Sequence, residues 1–355
     1  MRKVSVKLRA GMERNGVGPE VIQKILQSIT SFALYGFPES HAISFAILAY
    51  GSAYLKVHRA PEFYASLLNN QPMGFYTPAT IVKDAQRHGT RILPVCARES
   101  SWVCTVISDD TVRLGFCVVN GMRKEHGEAL VAERQRAAFV SLDDFKRRVE
   151  LTKEELRTIA ELGALNCFAE HRRAAMWRVE EEPPAPLFAA GIGDPGRVAA
   201  TRLPAGITDP GYNTPLLPMS MPERVKADYT TMNLTTGPHP MKLLRARLPD
   251  VLRASDLRAA RHGSTVQIAG NVICRQRPGT AKGFVFVSLE DETGVANAIV
   301  TPDLFERMRL LITEEPFLLI EGQVQNTDNV VLIKAEKIRP LAHERLIGSE
   351  SHDFH

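Results

Sequence analysis

The first ninety residues carry apolar side chains at helical spacing. Residues 19–34 form one apolar stripe, and Pro19 stands at the first-turn position that proline tolerates. A second helix is predicted to follow, with Ser40 as its N-cap. Because this helix is apolar on nearly all sides, we expect it to be buried among other helices. Shorter helices are predicted from Pro61 and over residues 78–88.

Residues 113–178 are again helical in pattern and contain two glycine-bearing turns. One turn precedes a helix that ends near Arg134, and the other, Leu162–Leu165, precedes a second helix. Both resemble helix-hairpin-helix elements, whose turn lets backbone N–H groups approach a DNA phosphate. The first turn lacks the second glycine of the usual G-h-G pattern, where h is an apolar residue. Two helices that pack together without contacting DNA are an equal alternative. The candidate phosphate contacts are Arg123 (at the place of the second glycine), Lys124, His171, Arg172 and Arg173.

Proline marks a boundary in the middle of the chain. Residues 183–222 hold nine of the 22 prolines and few periodic apolar positions. Such a composition is typical of a linker or of an extended arm laid over a surface. We therefore place a domain boundary here.

From Gly263 onward the pattern changes to that of strands. Five β-rich runs follow, and only the interval from Asp303 to Thr313, between the third and fourth, reads as a helix. Three strands, a helix and two strands is the order of an OB-fold barrel. The runs are TVQIAGNVICRQ, GFVFVSLED, GVANAIV, FLLIEGQVQ and VVLIKAEKI.

Positive charge is concentrated just before and inside this predicted barrel. The whole chain has a net charge of +4, whereas the segment from Arg245 to Lys282 holds eight arginines and lysines and two aspartates. Clustered positive charge attracts a polyanion such as nucleic acid.

The five cysteines are scattered and form no C-x-x-C pair, which favours neither a disulfide framework nor a zinc site. We expect a cytoplasmic protein, because no apolar run has the length of a secretory signal or a membrane span.

The loop between the first two predicted barrel strands holds the clearest candidates for DNA contact. Arg275, Arg277 and Lys282 lie in or beside it, where guanidinium and ammonium groups could bind phosphates. Phe284 and Phe286 alternate along the second strand and could stack on bases. Both faces of that strand are apolar, so we expect at least one phenylalanine in the core. A solvated hairpin loop without DNA contact is the alternative.

Several longer motifs resemble one known family. The stretch FALYGFPESHAISFAILAYGSAYLKVHRAPEFYASLLNNQPMGFYTPATIVKDAQRHG is similar to the fingers region of the bacterial family C DNA polymerases. The words YGFPESHA, LLNNQPMGFY, VICRQRPGTAKGFVF and SLEDETG and the terminal SHDFH resemble the error-prone, damage-inducible branch. The likeness covers nearly the whole chain.

The resemblance implies a multidomain α+β protein. Its regions are a helical fingers remnant over 1–90, a helix-hairpin-helix domain over 91–180, a Pro/Gly-rich linker over 181–260, an OB-fold β-barrel over 261–341 and a tail over 342–355. It also implies that the fingers residues Ser40, His41, Lys56 and Arg59 approach the incoming nucleotide and template. A helix cap at Ser40 and plain packing at His41 are the alternatives.

A PHP domain and a palm should precede the fingers in this family. The palm carries the acidic D-x-D strand that holds two Mg²⁺ ions, and the printed sequence has no such strand. The nearest acidic clusters, Asp109–Asp110 and Glu290–Glu292, read as turn residues. We therefore expect no catalytic residue, metal or cofactor in these residues, with Mg²⁺ bound only by the missing palm, and no polymerisation by this chain alone.

DNA is the predicted partner, as a single-stranded template and as a primer–template duplex. A missing polymerase half and accessory proteins of error-prone repair are further expected partners, and a membrane is not. A stand-alone single-strand-binding or adaptor protein would use only the barrel. A fragment that folds poorly and a tRNA-binding OB module are further alternatives.

Overall fold

The chain divides into two units at Arg59. In the computed structural model, residues 2–35, 39–74, 76–181, 216–327, 330–341 and 352–354 are described. One unit is Met1–Arg59 and the other is Ala60–His355. The region predicted as fingers, 1–90, is thus divided, because its last two helices belong to the second unit. No helix within the described ranges is long and apolar enough to cross a bilayer.

The first unit consists of three helices: α1 (Arg2–Arg14), α2 (Pro19–Tyr35) and α3 (Glu39–His58). Helix α3 begins at Glu39, so Ser40 lies in its first turn and the prediction of an N-cap at Ser40 was wrong. The expected burial of α3 was also wrong, since Ile47 is 67% exposed and Tyr50 is 77% exposed. A helix that is apolar all round needs neighbours on several sides. The described side chains of this unit leave most of α3 uncovered.

The second unit opens with helices and one small sheet around a single core. Strands β1 (Arg91–Leu93) and β3 (Thr111–Arg113) are parallel, and β2 (Thr105–Ser108) lies antiparallel to β3. The sequence pattern did not predict this sheet. The core includes five fully buried large side chains: Phe116, Leu130, Phe145, Ile159 and Leu165. The helices are α4 (Ala60–Asn69), α5 (Pro78–Arg87), α6 (Lys124–Arg136), α7 (Leu142–Arg148), α8 (Lys153–Glu161) and α9 (Arg172–Glu180).

The described part of the predicted linker is folded rather than extended. Helix α10 (Met221–Met232) packs Val225 and Tyr229 into the helical core, and α11 (Pro240–Leu244) follows it. The prediction of a linker over 181–260 was therefore wrong for residues 216–260. Its remainder, residues 182–215, lies outside the described ranges. Prolines flank α10 on both sides, although only Pro222 lies within it, so the helix was predicted as part of the linker.

Five strands close into the predicted OB-fold barrel: β4 (Thr265–Gln276), β5 (Val285–Glu290), β6 (Val295–Val300), β7 (Phe317–Thr327) and β8 (Val330–Pro340). They pair in the order β4-β5-β6-β8-β7, and β4 pairs with both β5 and β7 to close it. The pairing of β6 with β8 is parallel and the others around the barrel are antiparallel. The backbone of β9 (His352–Phe354) runs parallel to the end of β4. Helices α12 (Pro302–Arg307) and α13 (Arg309–Glu314) lie between β6 and β7 in the chain.

A layer of apolar side chains joins α11 to the barrel. Met241 of α11 is buried with Ala269 of β4 and Phe317 of β7 in a cluster separate from the barrel interior. Leu243 packs against both this cluster and the helical core. The barrel thus has apolar contact with the helices through the segment that was predicted as a linker.

Three consecutive acidic residues at the end of β5 make the polar part of the same junction. Glu290 is 1% exposed and accepts a 2.8 Å hydrogen bond from Nη2 of Arg87 on α5. Arg245, which follows α11, donates to Asp291 and Glu292, and Asp291 also accepts from the backbone N–H of Ala254. We call Glu290, Asp291 and Glu292 the acidic cluster. It ties the barrel to two helical segments.

Replacement of Arg87 should show how much this junction contributes to the free energy of unfolding. Burial raises the pKa of Glu290, while Arg87 opposes the shift. Arg87→Ala leaves a buried carboxylate unpaired, so we expect a loss of about 3 kcal/mol in the free energy of unfolding at pH 8. A carboxyl group with a raised pKa costs stability once pH rises through that pKa, so the loss should be smaller at pH 5.5. Urea unfolding at the two pH values measures it.

The control is Arg91→Ala, which removes an exposed arginine four residues later. The double substitution Arg87→Ala with Glu290→Gln should recover part of the lost stability, because the buried side chain at position 290 then carries no charge. An Arg87→Ala protein as stable as the control at pH 8 would contradict the assigned role.

Candidate nucleic-acid interface

Strand β5 separates its two apolar faces cleanly. Val285, Val287 and Leu289 are at most 3% exposed and fill the barrel interior. Phe284 is 37% exposed just before the strand, and Phe286 is half-buried on its outer side. The prediction that at least one phenylalanine lies in the core was therefore wrong. The facing interior positions on β6 are Val300, Ala298 and Ala296, all buried. The aromatic residue in this interior is Phe305 of α12.

Strand register extends this outer side across the barrel. Phe286 pairs with Ile299 on β6, and Ile299 pairs with Lys334 on β8. Ile299 is half-buried and Lys334 is exposed. We call Phe284, Phe286, Ile299 and Lys334 the aromatic face. The sequence did not identify Ile299 and Lys334 as part of this face. Alternation along β8 predicts that Lys334 points outward, but only the parallel pairing of β6 with β8 places it next to Ile299.

The loop between β4 and β5 borders the aromatic face. Lys282 is exposed there and has a left-handed backbone, with φ of 51°. The guanidinium of Arg277 lies 4.6 Å from the ring centroid of Phe305 and 3.3 Å from Oε1 of Glu306. Its side chain remains 42% exposed. Lys282 is thus exposed two residues before Phe284, whereas Arg277, although partly exposed, contacts Phe305 and Glu306 of α12.

Arg275 is the exception among these cations. It is only 8% exposed and donates from Nε to the carbonyl of Ile312 and from Nη2 to that of Glu315, 2.7 Å away. Both carbonyls lie at the C-terminal end of α13, where a positive charge is favourable. The structure therefore gives Arg275 a fold-supporting role in place of the expected DNA contact. Its position on the inward side of β4 explains the difference.

The first hairpin turn presents cations at a helix start. Gly121 has φ of 74°, and Arg123 and Lys124 are exposed at the N-terminus of α6. Glu155 accepts hydrogen bonds from the backbone N–H of Arg123 and from Nδ1 of His126. Burial raises the pKa of Glu155, but these bonds and those from Thr152 outweigh it and lower the pKa to about 2. A permanently charged Glu155 therefore fixes the turn while both basic side chains face solvent.

The second hairpin uses its predicted cations within the fold. His171 caps α9 by accepting from the N–H of Ala174, and Arg173 pairs with Glu223 of α10 at 2.6 Å. Arg172 is 7% exposed and pairs with Asp228 of α10 at 2.7 Å. The expected DNA contact by Arg172 is thus replaced by a buried ion pair. Gly163 makes room for it, since a Cβ there would lie 2.7 Å from Nε of Arg172.

The four predicted nucleotide-proximal residues all lie in the first unit. His41 and Arg59 are exposed and Lys56 is half-buried, while the side chain of Ser40 lies outside the described residues. Their proximity to a nucleotide or template stays a prediction.

Acidic groups in the described part of the chain do not assemble a metal site. No cluster of three or more histidine, cysteine, aspartate or glutamate side chains suited to a metal ion occurs within those ranges. Asp110 accepts hydrogen bonds from Ser108 and Thr111 in the turn before β3. The acidic cluster is engaged by arginines, as described above.

Two regions of the chain match known family models. Residues 89–175 match the family model of the helix-hairpin-helix motif. Residues 266–341 match the model of the OB-fold nucleic acid binding domain. Among solved structures, the chain is similar to asparaginyl-tRNA synthetase from Pyrococcus horikoshii, with 21% identity and a TM-score of 0.23 over 28% of this chain and 23% of that one.

Relatives match along almost the full chain. An error-prone DNA polymerase from Anaeromyxobacter dehalogenans (strain 2CP-1) is 38% identical over 99% of this chain and 31% of its own length. Error-prone DNA polymerase 3 from Agrobacterium fabrum is 40% identical over 95% of this chain and 31% of its own length. The chain thus spans about a third of the relatives that it matches. With its helix-hairpin-helix and OB-fold domains, the chain is homologous to a C-terminal portion of the error-prone DNA polymerases.

Proposed function

We propose that this chain is the DNA-holding part of an error-prone DNA polymerase that supports template-directed synthesis past damage. The observation that carries the proposal is the aromatic face, on which exposed Phe284 and half-buried Phe286 lie with Lys334, next to the loop that holds Lys282 and Arg277. Stacking and cationic groups together are the means by which OB folds hold single strands.

Single-stranded template is the ligand that this face fits best. Phe284 and Phe286 are separated by one residue along the chain, so their rings could accept neighbouring bases. Every base has a π-face, and stacking is worth about 1–3 kcal/mol per base with little sequence preference. The three cations would neutralise backbone phosphates on either side of the stacked bases. A polymerase that copies arbitrary sequence needs this lack of preference.

Duplex DNA would contact the first hairpin. Its turn combines Gly121, exposed Arg123 and Lys124, and the positive end of the thirteen-residue helix α6. Backbone N–H groups and lysines at such a place favour a phosphate without reading bases. The second hairpin, whose cations are engaged with α10, would contribute through its fold alone.

The first unit would need a partner surface. Exposed apolar side chains on several sides of α3, including Ile43, Phe45 and Tyr54, favour burial against protein. We infer that polymerase segments outside these residues cover it, and that His41, Lys56 and Arg59 then lie near the nucleotide. Those segments would also supply the Mg²⁺ ligands and the chemistry. Accessory proteins of error-prone repair would recruit the assembly.

A stand-alone single-strand-binding adaptor is the second candidate. It is favoured by the barrel alone, because the aromatic face and the adjoining loop belong to one closed domain. An adaptor would not require the exposed apolar surface of α3, whereas a polymerase would bury it against its other segments. Cytoplasmic location suits both candidates.

Loss of three cations around the aromatic face should weaken DNA binding. We expect Arg277→Ala, Lys282→Ala and Lys334→Ala together to lower affinity for a labelled oligo-dT strand. The slope of log affinity against log salt should become shallower by ~0.7 for each lost phosphate contact, or about 2 in all. Fluorescence anisotropy across a salt series measures both. Phe284→Ala should weaken binding by ~1–3 kcal/mol with the slope unchanged.

A matched control removes the same charge elsewhere in the basic segment. Arg247, Arg258 and Arg261 are exposed, and their joint replacement by Ala also removes three positive charges. Equal losses of affinity and slope in the two triple variants would show that only net charge matters, and would reject the aromatic face as the binding site.

The purified chain should not extend a primer. No D-x-D strand occurs in its sequence, and two-metal phosphoryl transfer requires such carboxylates. A labelled primer–template incubated with all four nucleotides and Mg²⁺ should remain unextended at protein concentrations that saturate DNA binding. Extension that persists through purification to homogeneity and in a host strain lacking its own error-prone polymerase would contradict this.

A further inference from the structure

A polar cleft lies where α5 meets the segment before α11. Its volume is about 330 Å³, at the small end of the about 300–1,000 Å³ typical of ligand pockets. Lys83 and Arg87 line one side, and His239, Lys242 and Glu292 line the other. Most such pockets are apolar, whereas this one is lined by charged and amide groups. It is suited to a small charged group.

Lys83 is a buried cation that contacts neutral oxygens in the cleft wall. It is 4% exposed, and Nζ donates to the carbonyl of Gly237 at 2.6 Å and to Oε1 of Gln86 at 2.9 Å. An ammonium group has three donors, so one remains after these two bonds. Burial lowers the pKa of Lys83 to about 8, which leaves it mostly charged at neutral pH. The ammonium therefore brings positive charge to the cleft at neutral pH.

The other charges around the cleft leave Lys83 and Lys242 uncompensated by direct contact. Arg87 is bound to Glu290, and Glu292 is bound by Arg245. Lys242 is exposed on α11 and forms no ion pair with the described residues. Burial, followed by the nearby Lys83 and Arg87, lowers the pKa of His239 to about 3, so this ring is neutral. Two lysines are thus the cations without a carboxylate partner.

We propose that this cleft binds one phosphate of the DNA backbone, held by Lys83 of α5 and Lys242 of α11, beside the end of β5. A compact ammonium group is a usual ligand of phosphate oxygens. The inference rests on the proposed function, because it makes the cleft a third point on the path of DNA. A free phosphate or pyrophosphate has the same chemistry, and the two sources are separated experimentally.

Lys242→Ala tests the proposal without disturbing a buried group. Each phosphate contact on a single strand makes the binding constant fall with about the 0.7 power of salt concentration, because bound counterions are released. We therefore expect about 8-fold weaker oligo-dT binding at 0.05 M salt and about 4-fold weaker at 0.15 M, with the slope shallower by ~0.7. Lys242→Glu should weaken binding further. Lys226→Ala, an exposed lysine on α10, is the matched control and should leave affinity unchanged.

A second arm uses pyrophosphate alone, followed by the thermal unfolding temperature of the full chain. Pyrophosphate should raise that temperature for the unaltered protein and less for Lys242→Ala, and should compete with oligo-dT. If pyrophosphate acts this way while DNA affinity is unchanged by Lys242→Ala, the DNA assignment is overturned in favour of a free anion. If neither arm responds to Lys242→Ala, the cleft binds no phosphate.

The two proposals fail in different ways. Loss of binding with the aromatic-face variants but not with Lys242→Ala rejects the cleft and leaves the barrel as the binding site. An unaltered protein that ignores oligo-dT rejects the proposed function, while the pyrophosphate arm still tests the cleft.

Discussion

The acidic cluster at the end of β5 is the constraint on which the second unit depends. Glu290 is almost fully buried, so its carboxylate requires the guanidinium of Arg87 from α5. A buried ion pair contributes little net stability compared with apolar packing, but it penalises every arrangement that separates its members. Arg245 adds two further bonds to Asp291 and Glu292. Together they fix one orientation of the barrel against the helices, which apolar contact around Met241 alone would specify less tightly.

Basic residues in this protein fall into two physical classes, and the distinction bears directly on function. Arg172 and Arg275 are buried and bind a carboxylate or helix carbonyls, so they hold elements together. Arg123, Lys282 and Lys334 are exposed and lie beside a glycine turn or an aromatic surface. A cluster of positive charge in a sequence therefore overstates the charge that is available to DNA. Burial decides which of the cations remain available to bind DNA.

The sequence predicted local structure well where one periodicity dominated. All five barrel strands and helices α2 to α5 lie close to where alternation and helical spacing put them. The single helix predicted between the third and fourth strands is present as two, α12 and α13. Prediction failed where partners distant in sequence decide. Helix α10 is flanked by prolines and was predicted as linker. Phe286 could not be assigned a face without the filled barrel interior, and the role of Arg172 depends on Asp228, 56 residues away. The burial expected for α3 requires a surface that the described residues do not supply.

The central claim is that single-stranded DNA lies on the aromatic face, and photo-crosslinking tests it most directly. A single-stranded oligonucleotide carrying 5-iododeoxyuridine would be bound to the full chain, irradiated and mapped by mass spectrometry. The account predicts crosslinks at Phe284 or Phe286, which are the aromatic side chains on that face. Crosslinks confined to the helical domain, with none on β5 or the loop before it, would contradict it.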